Sequence, residues 1–186
     1  MNNELIIGED MFTIFLSEEE IQARIVEMGK QISHDYAGKI PIFVGVLNGA
    51  AIFLADLIRA ISCDLEIDFL KLSSYGDEKL SSGSVKLIKD IDAHVGGRDI
   101  LIVEDIVDTG LSVAFIKQLF LPRNPASLKV VSLLYKKRNT QSATISHSDY
   151  IGFEIPDKFV IGYGLDYTQR LRNLRAIYAL NKESNY

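Results

Sequence analysis

The run from Ile100 to Ser112 (ILIVEDIVDTGLS) constrains the fold more than any other part of the chain. Residues 99–104 are apolar enough to read as a strand covered on both faces, the pattern of a parallel sheet. The strand delivers Glu104 and Asp105 to its carboxyl end. A short loop then carries Asp108, Thr109, Gly110 and Ser112, and residues 111–121 read as a helix that starts at once. Backbone N–H groups at such a helix start, with two hydroxyls beside them, suit a phosphate monoester. Gly110 lets the backbone come close. The neighbouring acids repel a phosphate, so they address another part of the ligand: sugar hydroxyls or a hydrated Mg²⁺. A ribose 5-phosphate satisfies both halves. Asp108 and Thr109 would also serve as plain helix caps, but three acids within five residues exceed what capping needs.

The rest of the chain supplies a frame for that motif. Residues 11–16 alternate weakly and read as a short strand. Ser17 and Glu20 have capping-box spacing, and Ile21, Ile25, Met28, Ile32 and Tyr36 follow on one helical face. Gly38 and Pro41 end that helix. Residues 42–47 form a buried strand, Asn48 and Gly49 a turn, and 50–61 a helix. Strands are expected at 65–71 and 85–89, with a long polar loop at 73–84 between them, and again at 127–135. Short strands at 150–154, 159–163 and 176–180 close the chain. Strands alternating with helices imply an α/β fold: one domain over 1–186, with a central, mainly parallel sheet flanked by helices. The last third, from about 150 to 186, joins an N-terminal segment in a small extra lobe. Ligands of such sheets bind at the carboxyl ends of the strands.

Charge narrows the function classes. Twenty basic and twenty-five acidic residues give a net charge of −5. That balance speaks against a nucleic-acid coat or a binder of anionic membranes. The distribution is uneven: residues 1–120 hold ten basic and twenty acidic side chains, residues 121–186 ten basic and five acidic. The C-terminal third therefore either meets an anion or presents a solvated basic face. The lone Cys63 excludes an internal disulfide framework and fits a reducing, cytoplasmic setting. The N-terminus lacks the pattern of a signal peptide, and the longest uncharged stretch is too short to span a bilayer. His34, His94 and His147 show no metal-ligand spacing.

The stretch VEDIVDTGLS resembles the phosphoribosyl pyrophosphate signature of type I phosphoribosyltransferases. Its form is most like that of the hypoxanthine-guanine branch of the family. Other segments agree in order over roughly residues 10 to 180. Leu47, Asn48, Gly49 and Ala50 resemble the family's pyrophosphate loop, and Ser74 with Tyr75 the pair in its long mobile loop. Lys136 follows an apolar strand as the family's purine-side lysine does. Residues 152–167 (GFEIPDKFVIGYGLDY) resemble its purine-recognition segment.

The resemblance implies the type I phosphoribosyltransferase fold, with the small lobe as its hood. It also implies a Mg²⁺-dependent transfer of ribose 5-phosphate to N9 of a 6-oxopurine, giving IMP or GMP and pyrophosphate. By position, Asp108 matches the proposed general base at purine N7. Glu104 and Asp105 match the acids near the ribose hydroxyls and, with Asp166, the metal side. Thr109, Gly110 and Ser112 match the 5′-phosphate loop. Lys158 matches a donor to O6, Phe159 a stacking platform, and Val160 a backbone carbonyl at the ring edge. Arg172 matches an arginine that meets pyrophosphate. Family members are homodimers or homotetramers that take small-molecule substrates, with no nucleic acid and no membrane.

Three features depart from the family pattern or leave alternatives open. Asn48 stands where lysine or arginine is common, so the pyrophosphate loop relies on backbone N–H groups, with an expected cis Leu47–Asn48 peptide. Ser112 replaces threonine and keeps the hydroxyl. Lys136, Lys137 and Arg138 form a basic cluster that suits substrate contact and a solvated face equally. A preference for xanthine or guanine, an RNA-binding regulator on the same fold, and a silent interaction module are the competing readings.

Overall fold

The structure, a computed structural model, describes residues 4–74, 85–137 and 148–181. The chain runs β1 (Glu4–Ile7), β2 (Asp10–Leu16), α1 (Glu18–Asp35), β3 (Ile42–Leu47), α2 (Ala51–Arg59), β4 (Glu66–Ser74) and β5 (Val85–Lys89). It continues with β6 (Asp99–Val107), α3 (Leu111–Phe120), a 3-10 turn (Leu121–Arg123), β7 (Ser127–Lys136), β8 (Tyr150–Ile155), β9 (Val160–Ile161) and β10 (Ile177–Leu180). Ser17 and Glu20 form the capping box at the start of α1, each accepting the other's backbone N–H at 3.2 and 2.8 Å.

The uniformly apolar runs become a sheet with strand order β5-β4-β3-β6-β7-β8. All neighbours from β4 to β8 are parallel, and β5 alone is antiparallel. Strand side chains alternate between faces, so both faces need cover. Phe43, Leu101, Val103 and Val131 bury against α1 and α2. Ile42, Val44, Ile100, Ile102 and Val130 bury against Val113, Ile116 and Phe120 of α3. A second, antiparallel sheet of order β1-β2-β10-β9 forms the hood.

Several boundaries differ from the sequence-based expectations, each for a visible reason. Residues 150–155 lie outside the small lobe: β8 pairs with β7 from Val131↔Tyr150 to Lys136↔Ile155 and forms the sheet edge. Arg24 of α1 covers that edge by donating to the carbonyls of Ile151 and Gly152. Strand β9 spans only Val160–Ile161, because Gly162 and Tyr163 turn into the left-handed region at φ 94° and 49°. Strand β6 continues to Val107, paired with Tyr135. Strand β4 keeps Ser73 and Ser74 through pairing with Lys86 and Val85, while residues 75–84 lie outside the described residues. Helix α3 stops at Phe120, where Pro122 imposes the 3-10 turn.

This topology fixes where a ligand can sit. Chain order places β4 on one side of β3 and β6 on the other. The crossovers leave in opposite directions, so a crevice opens at the carboxyl ends of β3 and β6. The loops after these two strands are Leu47 to Gly49 and Asp108 to Ser112.

Candidate active site

The end of β6 carries two adjacent acids in different surroundings. The Asp105 carboxylate lies against Gly49 of the loop after β3. Glu104 is buried, and its Oε1 has no hydrogen-bond partner. Burial pushes its carboxyl well above the ordinary range, and the charge of Asp105 adds to the shift. Burial also raises Asp105, to about 6, against the pull of its backbone donors and of Arg172. Asp166 adds to the rise.

The loop after β3 approaches from the neighbouring strand. Its Leu47–Asn48 peptide is cis, as expected. A Cβ on Gly49 would overlap the Asp105 carboxylate, and a Cβ on Gly164 would overlap the Gly49 carbonyl oxygen. Glycine is required at both positions for the loop, the strand end and the hood to meet. Asn48 is exposed, and no charge stands in this loop.

Helix α3 begins very differently from α1. Where α1 has a capping box and three glutamates in its first turn, α3 has neither a side-chain cap nor an acid. Its N-cap is Gly110 at φ 76°, which an L side chain rarely adopts. Thr109 and Ser112 are exposed, and the Thr109 Oγ1 accepts only a long 3.4 Å bond from the Leu111 N–H. The free N–H groups and the helix dipole favour an anion at this point.

Between these loops and the hood lies a cleft of about 260 Å³, lined by Asp105, Asp108, Lys136, Phe159, Val160 and Asp166, with Ile106 and Leu165 as apolar walls. The Lys136 amine, largely buried, stands 3.2 Å from Asp108 Oδ2 and 3.0 Å from Asp157 Oδ1. Phe159 is half-exposed, an unusual state for a large ring beside a cleft. It packs against the edge of Tyr167 at 6.2 Å and against Phe12 at 6.3 Å. Lys158, the residue expected to donate to O6, stands next to Phe159 in the chain. It is exposed and does not line the cleft, and its amine lies 5.5 Å from the ring centre of Phe15 on β2. Phe159 lines the cleft, whereas Lys158 lies over the hood residue Phe15. A larger groove of about 700 Å³ lies beside the hood at Leu5, Ile14 and Tyr178 and holds none of the candidate residues.

On the other side of the cleft, Arg172 is 2.8 Å from Asp166 Oδ1 and donates to the Gly164 carbonyl at 2.8 Å. Asp105 and Asp166 are close enough for each charge to be felt by the other. Two carboxylates with room beside them suit Mg²⁺, which takes few protein oxygens and fills its shell with water and phosphate oxygens. Glu104 does not join them. Among the described residues no group of three His, Cys, Asp or Glu side chains converges. Ser74 ends β4, while Tyr75, Arg138 and His147 lie outside the described residues.

Sequence reasoning missed Asp157, the second partner of Lys136, and the apolar walls Ile106 and Leu165. The Asp157 signal was present, as an acid next to Pro156 within the purine-like segment. Ile106 and Leu165 gave no signal, because an apolar residue looks the same on a core face and on a cleft wall.

A phosphoribosyl transferase domain model matches residues 14–168. The chain is 48% identical over 169 residues to the hypoxanthine-guanine phosphoribosyltransferase of Bacillus subtilis (strain 168), covering 91% of this chain and 93% of that one. It is 43% identical to the enzyme of the same name from Mycobacterium bovis (strain ATCC BAA-935 / AF2122/97), covering 92% and 87%. Its fold matches a crystal structure of a hypoxanthine phosphoribosyltransferase from Staphylococcus aureus with a TM-score of 0.84, at 42% identity and 90% coverage of each chain. With the crevice, the uncapped helix start and the cleft in place, these likenesses lead to one conclusion: the chain belongs to the phosphoribosyltransferase family.

Proposed function

We propose that the protein transfers the 5-phosphoribosyl group of phosphoribosyl pyrophosphate to N9 of hypoxanthine or guanine, giving IMP or GMP and pyrophosphate. The observation that carries this reading is the cleft itself. It joins a proton acceptor, a buried amine and an open aromatic face beside a helix start made for phosphate.

In the reaction the bond from C1′ to the pyrophosphate oxygen breaks and a bond from C1′ to N9 forms. Charge builds on the ribose as on other glycosyl centres. The N–H groups from Gly110 onward, with Thr109 and Ser112, hold the 5′-phosphate and fix the sugar. Phe159 supports the purine by stacking. Lys136 donates to O6, a contact that an oxo group accepts and the amino group of adenine does not. Purine binding draws the amine from Asp108, which is then placed to take the ring proton as N9 attacks. The N–H groups of the Leu47 to Gly49 loop and Arg172 receive the pyrophosphate. Asp105 and Asp166 would hold Mg²⁺, which would supply positive charge to offset that of the leaving pyrophosphate. Val160 offers its backbone to the purine edge, and Glu104, buried beside Asp105, supports the end of β6.

A cytoplasmic setting and a homo-oligomer complete the reading. The free thiol of Cys63 suits a reducing compartment, and among the described residues no helix is long and apolar enough to cross a membrane. The test is direct. Incubation with phosphoribosyl pyrophosphate, Mg²⁺ and each of hypoxanthine, guanine, xanthine and adenine should yield nucleotide from the first two and none from adenine. No turnover with any oxopurine, or tight salt-sensitive RNA binding in its place, would overturn it.

A further inference from the structure

The segment 162–172 is held in a conformation its own residues do not favour. Tyr163, Thr168, Gln169 and Leu171 all have positive φ, between 49° and 68°. Such backbone persists only where the surroundings over-determine it. Two tight turns account for part of that support, with reciprocal backbone hydrogen bonds between Gly162 and Leu165 and between Tyr167 and Arg170.

Within the segment, Arg172 donates to the Gly164 carbonyl and to Gln169, and Asp166 accepts the Gln169 N–H. Two tyrosines also reach out of the segment in different directions. Tyr163, buried, donates its hydroxyl to Asp56 of α2 at 2.5 Å, and Gln22 of α1 donates to the same carboxylate at 2.9 Å. Tyr167 donates its hydroxyl to Asp10 of β2 at 2.9 Å. Neither hydroxyl lines the cleft. Each tyrosine is, however, next to a different half of the site. Gly164, following Tyr163, is the residue packed on the Gly49 carbonyl of the pyrophosphate-side loop. The ring of Tyr167 meets Phe12 edge-on at 5.8 Å and Phe159 at 6.2 Å. Edge contact supports Phe159 while leaving a ring face available for a purine.

We propose that these two bonds are separate positioning devices: Tyr163 with Asp56 sets the pyrophosphate side of the site, and Tyr167 with Asp10 sets the purine platform. Both are positioning residues, acting through Gly49 and Phe159 and not on substrate. The proposal rests on the reading of function given above. It adds to that reading a division of labour within one strained segment.

The experiment is a comparison of Tyr163→Phe and Tyr167→Phe with the parent enzyme, measuring KM for both substrates and kcat. Loss of one anchoring hydrogen bond is worth about three- to tenfold in an affinity. Tyr167→Phe should raise the KM for hypoxanthine by that factor and leave the KM for phosphoribosyl pyrophosphate within about twofold. Tyr163→Phe should do the reverse. A merely structural loss lowers the amount of active enzyme and so the apparent kcat, but it does not split the two KM values. Asp56→Asn and Asp10→Asn keep an oxygen that accepts the tyrosine hydroxyl, so each should remain close to the parent. Equal rises in both KM values, no rise in either, or Asn variants as impaired as the Phe variants would overturn the proposal. A parent that never turns over would overturn the functional reading itself, whereas an active parent with unsplit variants overturns only the division of labour.

Discussion

Gly49 and Asp105 face each other across β3 and β6 with no space for a methyl group between the glycine and the carboxylate. This contact joins the loop after one strand to the acid at the end of the next. Gly49→Ala must therefore displace either the loop or Asp105. We expect it to lower stability by about 1–3 kcal/mol and to raise the KM for phosphoribosyl pyrophosphate well above that for the purine. Steady-state kinetics with denaturant titration checks both, and a variant with parent-like KM values would show that the loop does not need this approach.

Asp108 accepts a 3.2 Å hydrogen bond from the Lys136 amine, and in the proposed reaction that amine turns to O6 and leaves the carboxylate to the purine. Asp108→Asn keeps the shape and removes the proton acceptor. Turnover should fall about a hundred- to ten-thousandfold, while IMP binding by calorimetry changes little. Parent-like turnover in this variant would remove Asp108 from proton transfer.

The two lysines of the purine region should separate cleanly. Lys136→Met deletes the buried amine between Asp108 and Asp157, and a hydrogen bond to a charged group is worth about 1.5–3 kcal/mol. The KM for hypoxanthine should rise roughly ten- to a hundredfold. Lys158→Met removes an exposed amine that lies over Phe15 and should leave that KM within about twofold. The opposite ranking would return the O6 contact to Lys158.

Burial holds the Asp105 carboxyl at about 6, above its unfolded value of 3.8. The folded chain therefore keeps this proton longer than the unfolded chain does. Its contribution to stability is complete below about pH 4 and is lost as the pH rises through about 6. Glu104 is shifted the same way. Urea midpoints of the ligand-free protein should fall over this window, and Asp105→Asn should flatten the fall. An equally steep fall in the variant would assign it to another group.

Local pattern made much of the molecule legible in the sequence. The capping box at Ser17 and Glu20, the two-faced strand at Ile42–Leu47 and the loop between β6 and α3 all involve neighbours in the chain, and each was found where the pattern placed it. The failures involve partners far apart. Whether Tyr150 begins a hood strand or a sheet edge depends on β7 and on Arg24 of α1. That Lys136 lines the cleft while Lys158 lies over Phe15 depends on how β7 and the hood meet, and nothing near either lysine encodes that. Glu104 and Asp105 looked like equal partners in sequence, yet only Asp105 lines the cleft, while Glu104 is buried with an unpartnered carboxylate oxygen.

The hood sheet pairs β2, near the start of the chain, with β10, near its end. During synthesis, strands β3 and β6 and the phosphate loop exist before β10 has been made. Phe159 rests its ring against Phe12 of β2, and its carbonyl accepts a hydrogen bond from the Leu180 N–H of β10. Domains fold as the ribosome delivers them. On the proposed reading, a growing chain thus carries the loop for a sugar phosphate before β10 joins β2 to β9 beneath the purine platform.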